Sequence, residues 1–527
     1  MTTANLLQGA AACASALLLL ALATSGPGSA QDEVCSIGSR LELFVDEYLI
    51  ETMDGVTREL HAPERKGPVI TFDRPWEGWC SGAVTVFQDG DLYRMYYVGN
   101  PMWGTFADFP NCFGAAVTCY AESRDGIHWT RPDLDIFSGD FIDRYKKPFT
   151  VTAPNNIVWI GQGAQVHSTD NFVPFKDTNP ACPPEARYKA IARWINSPDP
   201  SPPQPDATGY SWPPGVGLVA FQSADGIHWS LMQEERIIKK TETDAQNVAF
   251  WDPLRGCYVC YLRVWRKDGG YLRSIATLTS EDFLHWSDPP EWLDYGGAPE
   301  EHMYDGTIRP YFRAPHLYLG FIMRLVPGHV WKPEHPAGND ISDAVFMSSR
   351  DGLHFDRSFM EGWVRPGLDP QRESWIHGNT SPAWGILETA PGELSVYWID
   401  HYYNGIDQTK SMPQLQRGTL RTDGFVSMHA GYSGGEFTTK PLTFAGRELV
   451  MNFSTSAVGS VRVEIQDQAG KPIPGFMLTD CPEIYGDAIE EVVRWQSGSD
   501  VSALAGQVVR LRFVLKDVDL YSIRFRD

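Results

Sequence analysis

Basic residues are scarce in this chain. Its 527 residues carry 44 Lys and Arg against 66 Asp and Glu, a net charge of −22. A surface so short of cations lacks the footprint that nucleic acid or an anionic bilayer needs, and neither is expected as a partner. Long apolar runs are missing after the first thirty residues, so no later segment is expected to cross a membrane as a helix. Helical periodicity is almost absent. No G-x-S-x-G elbow, H-E-x-x-H pair, P-loop or dinucleotide fingerprint stands where its chemistry would need it.

The one compact apolar run, Ala16 to Ala23, is too short to span a bilayer. The small residues Gly28-Ser29-Ala30 follow it, so residues 1–30 read as a signal peptide, with no Lys or Arg at its start and a mature chain beginning near Gln31. The expected location is secreted or periplasmic. Of nine cysteines, eight lie beyond the leader: Cys35, Cys80, Cys112, Cys119, Cys182, Cys257, Cys260 and Cys481. Export permits disulfides, but their pairing is not legible in sequence. Cys257 and Cys260 sit inside a strand-like run, where a spacing of three points them to opposite faces; buried thiols are expected, not a zinc or redox pair.

What the chain does have is a phrase written four times. It reads Ser123-Arg124-Asp125-Gly126-Ile127-His128-Trp129, and recurs from Ser223 to Trp229, from Ser280 to Trp286 and from Ser349 to Phe355. A degenerate fifth copy runs from Arg421 to Phe425. Such repetition marks one supersecondary unit used several times. Upstream of each copy, a turn rich in Gly, Pro or Asp leads into a β-rich run, as at Leu92-Tyr93-Arg94-Met95-Tyr96 and Cys257-Tyr258-Val259-Cys260-Tyr261. The unit reads as a four-stranded antiparallel blade. Radial repetition of blades protects sheet edges, so the expected fold is all-β: a five-bladed β-propeller over residues 31–435. Alternating strands after Gly434-Gly435 predict a small β-sandwich over residues 436–527. The conspicuous Asp of each phrase is expected to hold its own turn, with Trp plugging between sheets, and to do no chemistry.

Chemistry is expected where the innermost strands begin, because those positions converge on a central funnel. The first blade offers Trp76 and Glu77, the second Asn155, the third Asp244 and Asn247. The fourth offers Glu301, His302, Asp305 and Arg309, and the fifth Glu373, His377 and Asn379. Glu77 lies 16 residues before Tyr93, Asp244 14 before Tyr258 and Glu301 17 before Tyr318. Three acids from separate blades suit glycoside hydrolysis, which needs a protonated carboxyl at the leaving oxygen and an ionised one across the sugar. Crowded negative charge helps keep one of them protonated. The expected catalytic residues are therefore Glu77, Asp244 and Glu301. Trp76, Asn155, Asn247, His302, Asp305, Arg309, Glu373, His377 and Asn379 are expected to bind substrate. No catalytic metal or cofactor is expected; the alternative use of the acids is to hold a structural Ca²⁺ in the channel.

Five blades with S-x-D-G-[IL]-H-[WF] turns, then a sandwich, resemble the five-bladed glycoside hydrolases of families 32 and 43. The phrase Leu43-Phe44-Val45-Asp46-Glu47-Tyr48-Leu49-Ile50 is similar to the start of exported bacterial relatives of that group. The resemblance implies a carbohydrate substrate, with Glu301 as general acid and Glu77 or Asp244 as base or nucleophile. The N-D-P-N-G, R-D-P and E-C motifs of family 32 have no counterpart here. Trp251-Asp252-Pro253 reads as part of a hairpin turn, and fructosidase action is not implied. The expected function is thus a secreted glycosidase acting on a plant or algal glycan, including furanosides. The alternatives are a sialidase-like enzyme, although no trio of arginines with a Tyr–Glu pair stands out, and a non-catalytic carbohydrate-binding propeller.

Overall fold

The structure is a computed structural model. It describes residues 34–100, 116–142, 148–161, 169, 171–195, 204–205, 211–212, 216–239, 244–266, 272–330, 340–369, 374–376, 378–402 and 412–527. The expected leader, the mature start, Cys112, Glu373 and His377 lie outside them.

Each repeat folds as an antiparallel sheet. The first blade orders Gly82–Asp89, Leu92–Gly99, Val117–Ser123 and Ile157–Trp159 from the axis outward. The second runs Val173–Lys176, Tyr188–Ile195, Val216–Ser223, Ser230–Leu231, and the third Val248–Asp252, Cys257–Arg266, Leu272–Ser280, Glu291–Trp292. In the fourth, His302–Met303 and Ile308–Tyr311 share the inner position before Ala314–Pro327, Asp340–Ser349 and Phe355–Asp356. In the fifth, Ser381–Pro382 and Leu387–Ala390 precede Glu393–Asp400 and Gln414–Arg421. Neighbouring blades touch all the way round: inner strand meets inner strand from the first blade to the fourth, Ser381–Pro382 of the fifth meets Ala314–Pro327, and the last blade meets the first between Leu387–Ala390 and Gly82–Asp89. The five sheets therefore close a five-bladed β-propeller.

The fifth blade takes its outermost strand from the other end of the chain. Glu64–Thr71 pairs antiparallel with Gln414–Arg421, Thr71 opposite Gln414 and Glu64 opposite Thr419. The fifth Asp-Gly turn leads instead into Val426–Ala430, which leaves the propeller and pairs with Val509–Arg526.

Two expectations are corrected here. The propeller does not begin at residue 31: Cys35–Gly38, Glu42–Leu43, Ile50–Asp54 and Thr57–Leu60 join the C-terminal strands in one ten-stranded sheet. Their ladder partners, such as Ile523 for Glu42 and Thr439 for Ile50, lie hundreds of residues away, beyond what local pattern reports. This β domain packs Phe44, Phe437, Phe453, Phe513 and Phe525 into its own core. The second correction concerns Asn155. It precedes the outer strand of the first blade, not the inner strand of the second, which starts at Val173.

The repeated turns do what their composition demands. In each, the Ser hydroxyl accepts the N–H three residues on, and one Asp oxygen accepts the next two N–H groups, as Asp225 does from Ile227 and His228 at 2.8 Å. The other oxygen meets the His ring at 2.7–2.8 Å in all four copies. Burial opposes ionisation, yet these bonds hold Asp282 and Asp351 down to about 2. The turns also lock neighbouring blades. Tyr96 and Tyr261 donate their hydroxyls to the carbonyls of Gly226 and Gly352, each at 2.8 Å, and Tyr397 does the same for Gly126. In the third copy Phe283 stands at the glycine position with φ 72°, its ring between Phe175 of the second blade and Tyr258 of its own.

Candidate active site

A cavity of about 140 Å³ opens at the axis, where the inner strands begin. All five blades contribute to it: Ala83, Asn171, Asp244 with Gln246, Tyr304 with Asp305, and Ser381 with Tyr402. Gly378, with φ +88°, brings backbone against Tyr402; a Cβ there would lie 2.3 Å from the ring. Gln246 braces the floor by donating its side-chain amide to the carbonyl of Val84 at 2.8 Å.

Two carboxylates face this space, in opposite settings. Asp305 is 4% exposed. Its Oδ1 accepts the Gln246 N–H at 3.0 Å and its Oδ2 the Ser381 hydroxyl at 3.0 Å. Burial pushes its carboxyl above the ordinary aspartate value and the charge of Asp244 adds to that, against the pull of those hydrogen bonds and of Arg263. The side chain of Asp244 is 57% exposed and lies 3.4 Å from the Arg193 guanidinium. Behind them stand more cations. The Arg263 and Arg273 guanidiniums lie 4.6 and 5.3 Å from the Tyr304 ring centre, and Arg273 also stacks on Trp265 at 4.5 Å. Burial holds the Tyr304 hydroxyl up at about 12.

Of the residues expected to be catalytic, the cavity is lined by Asp244 and by neither Glu77 nor Glu301. Glu77 is 1% exposed and folded back into the first blade. Its oxygens accept from Tyr97 at 2.5 Å, from the Arg74 N–H at 3.1 Å and from Arg131 at 2.9 and 3.0 Å. Burial raises its pKa while Arg131 opposes. Glu301 has both oxygens committed, one to Arg324 at 3.0 Å and the other to Arg357 at 2.5 Å. That leaves it ill placed to pass a proton to a leaving group, which corrects the role expected for it.

The residues expected to bind substrate also divide. Asp305 lines the cavity. Asn247 sits behind Gln246, accepting the Arg263 N–H at 3.0 Å, and Asn379 holds the Tyr402 loop by accepting its N–H at 2.9 Å. His302 accepts from the Arg273 N–H at 3.3 Å, and burial followed by Arg273 lowers its pKa. Arg309 does not line the cavity; it stacks 5.7 Å from Trp384, burial pushing it down to about 10. Trp76 donates to Asn156 at 2.9 Å inside the first blade. Asn155 is spent on backbone, donating to Phe137 O at 2.8 Å and accepting Ile157 N at 3.1 Å, which corrects its placement at the funnel.

Tyr304, Gln246, Ser381, Tyr402 and Arg193 were not singled out by sequence. A signal for the first two existed, since they flank Asp305 and Asp244 in the same short segments. The Asp252 of Trp251-Asp252-Pro253 does hold a hairpin turn, accepting Leu254 N at 2.9 Å and Arg255 N at 3.1 Å. Cys260 is fully buried, and burial lifts its thiol well above the usual range; Cys257 is partly exposed, and neither forms a disulfide. No described helix is long and apolar enough to cross a membrane.

No family model matches the chain. Two uncharacterized proteins of Mycobacterium tuberculosis are 39% identical to it over 67 residues, which is 12% of this chain and 20% of theirs. The chain thus spans about a fifth of the length of these curated relatives. Similar solved structures include a member of the GH130 family, described as containing glycoside hydrolases that target β-1,2 mannosidic linkages in Candida mannan (12% identity, TM-score 0.39, 68% of this chain and 94% of that one). A family 43 arabinoxylan arabinofuranohydrolase from Bacillus subtilis is similar at 10% identity and TM-score 0.38, over 88% of this chain and 99% of that one. An N-acetylgalactosamine deacetylase from F. plautii is similar at 11% identity and TM-score 0.39, over 69% of this chain and 94% of that one.

Proposed function

We propose that the chain is an exported glycoside hydrolase whose working carboxyls are Asp305 and Asp244. One observation carries this reading: two carboxyls line a single axial cavity, Asp305 buried with its proton affinity raised and Asp244 exposed beside a guanidinium. That division of labour is what acid-assisted glycosidic cleavage requires. Asp305, buried and pushed up, is the proton donor to the leaving oxygen. Asp244, exposed and beside Arg193, is the carboxylate that works as base or nucleophile. Ser381 and the Gln246 N–H orient Asp305, and Tyr304 and Tyr402 supply hydroxyl and ring contacts for a sugar. The leader sequence supports export, and a plant or algal oligo- or polysaccharide is the substrate class proposed.

A second reading rests on the cations. Arg193, Arg263 and Arg273 gather around Asp244 and Tyr304, a setting suited to a sugar that bears its own carboxylate. A panel of aryl furanosides, neutral pyranosides, uronosides and sialosides separates the readings. Wild type turns over at least one member, and both Asp305→Asn and Asp244→Asn lose that turnover. Full activity in Asp305→Asn removes the assignment, and glycan binding with no turnover makes the chain a binding propeller.

A further inference from the structure

We propose that the chain carries a zinc-type metal site outside the propeller, built by Glu59, His429 and Asp519 with His61 beside them. The three strands that hold these residues are neighbours in the ten-stranded sheet. Thr57–Leu60 pairs with Val426–Ala430, which pairs with Val509–Arg526. His429 stands directly opposite Asp519, and Ser427 opposite Glu59. Side chains alternate along a strand, so Glu59, His61, Ser427, His429 and Asp519 all emerge on one face.

The donor atoms converge. One ligand atom each from Glu59, His429 and Asp519 lies within 4.8 Å of the other two. His429 Nδ1 is 3.0 Å from Asp519 Oδ1 and 3.6 Å from Glu59 Oε2. Zinc bound at 2.0–2.2 Å to nitrogen and oxygen sets tetrahedral ligand edges of about 3.3–3.6 Å. The observed separations bracket that range, so small rotations would seat an ion. His61 Nε2 lies 3.9 Å from the same Asp519 oxygen and would become the fourth donor by exchanging its hydrogen bond to Ser427 for the ion. Ser427 donates to Asp519 Oδ1 at 2.7 Å and accepts from His61 Nε2 at 2.8 Å, which holds the Asp519 carboxylate in place. Two imidazoles with two carboxylates suit zinc, nickel or copper and disfavour calcium or magnesium.

The site's place gives it a purpose. Residues 59, 429 and 519 belong to the start of the described chain, the strand that leaves the fifth blade, and the closing strand of the C-terminal domain. A bound ion would cross-link all three just before Glu64–Thr71 enters the propeller. The site is independent of the axial cavity and of the proposed glycosidase activity.

The test uses the untagged full chain after EDTA treatment, titrated calorimetrically with zinc chloride alone and, separately, with calcium chloride. The expected result is one zinc per chain with a Kd of about 1 µM or tighter, no calcium binding, and a melting temperature that rises with zinc. His429→Ala and Asp519→Asn lower zinc affinity by more than about 100-fold. Glu59→Gln, at an exposed edge, weakens zinc binding while leaving the melting temperature of the metal-free protein unchanged. Absence of stoichiometric zinc, or unchanged affinity in Glu59→Gln and His429→Ala, overturns the proposal.

Discussion

Tyr96 of the first blade donates its hydroxyl to the carbonyl of Gly226 in the second, 2.8 Å away and fully buried. Gly226 has φ +79°, and a Cβ there would lie 2.7 Å from that same oxygen. The glycine is thus fixed twice, once by its backbone conformation and once by the tyrosine it docks against. Tyr96→Phe leaves the carbonyl unpaired, at an expected cost of about 1–3 kcal/mol. Gly226→Ala is expected to cost at least as much, adding strain to the clash. Urea denaturation of both variants checks this, and a Tyr96→Phe that melts like wild type refutes the docking account.

Asp305→Asn is expected to lower kcat on an activated glycoside by roughly 10²–10⁴, the range for loss of a positioned proton donor. Asp244→Asn is expected to fall comparably, whereas Glu301→Gln retains most of its turnover. Steady-state kinetics on the three variants, with folding checked by circular dichroism, rank the carboxyls directly.

Activity and pH are linked through the same pair. Asp305 must be protonated to act, so activity is expected to fall as pH rises through its elevated pKa. Asp244 is one cause of that elevation. In residual-activity measurements, Asp244→Asn should therefore move the alkaline limb toward lower pH. A limb that stays put assigns it to another group.

Stability should show the opposite dependence at low pH. Asp282 and Asp351 titrate near 2 in the folded chain, against 3.8 unperturbed. A carboxyl depressed by folding contributes stability above its unfolded pKa and loses it as pH falls toward the folded one. The protein is expected to lose stability between about pH 4 and 2, and Asp351→Asn should flatten that slope. Both side chains are about half exposed, so each contribution is screened. Thermal melts across this window read the effect.

Arg131→Ala should be costly away from the active site. It leaves the Glu77 carboxyl buried without its cation, at an expected penalty of about 3–5 kcal/mol. Glu77→Gln in the same background restores part of the loss, as a double-mutant cycle in guanidinium would show.

The blades were legible because their defining turn is local. Ser123, Asp125, Gly126 and His128 satisfy one another within six residues, so sequence alone reports them. The funnel was legible only to its neighbourhood. Asp244 and Asp305 lie 14 and 13 residues before Tyr258 and Tyr318, while Glu77 and Glu301 lie 16 and 17 before Tyr93 and Tyr318. Those few residues separate the cavity wall from the blade flank. For Glu77 the tight turn back to Arg74 decides the matter, and for Glu301 two arginines that come from Ala314–Pro327 and from beyond Asp340–Ser349. No spacing rule reports such partners. The shared N- and C-terminal sheet was illegible for the same reason, since its register joins Glu42 to Ile523.

Because Glu64–Thr71 supplies the outer strand of the fifth blade, the ring has a seam. The segment made early in synthesis must wait, unpaired, until Gln414–Arg421 exists to receive it. Four blades can form in order as the chain emerges, but the circle shuts only when both termini are present and the N-terminal strands have found the C-terminal sheet. The last event in folding is then a meeting of the two ends.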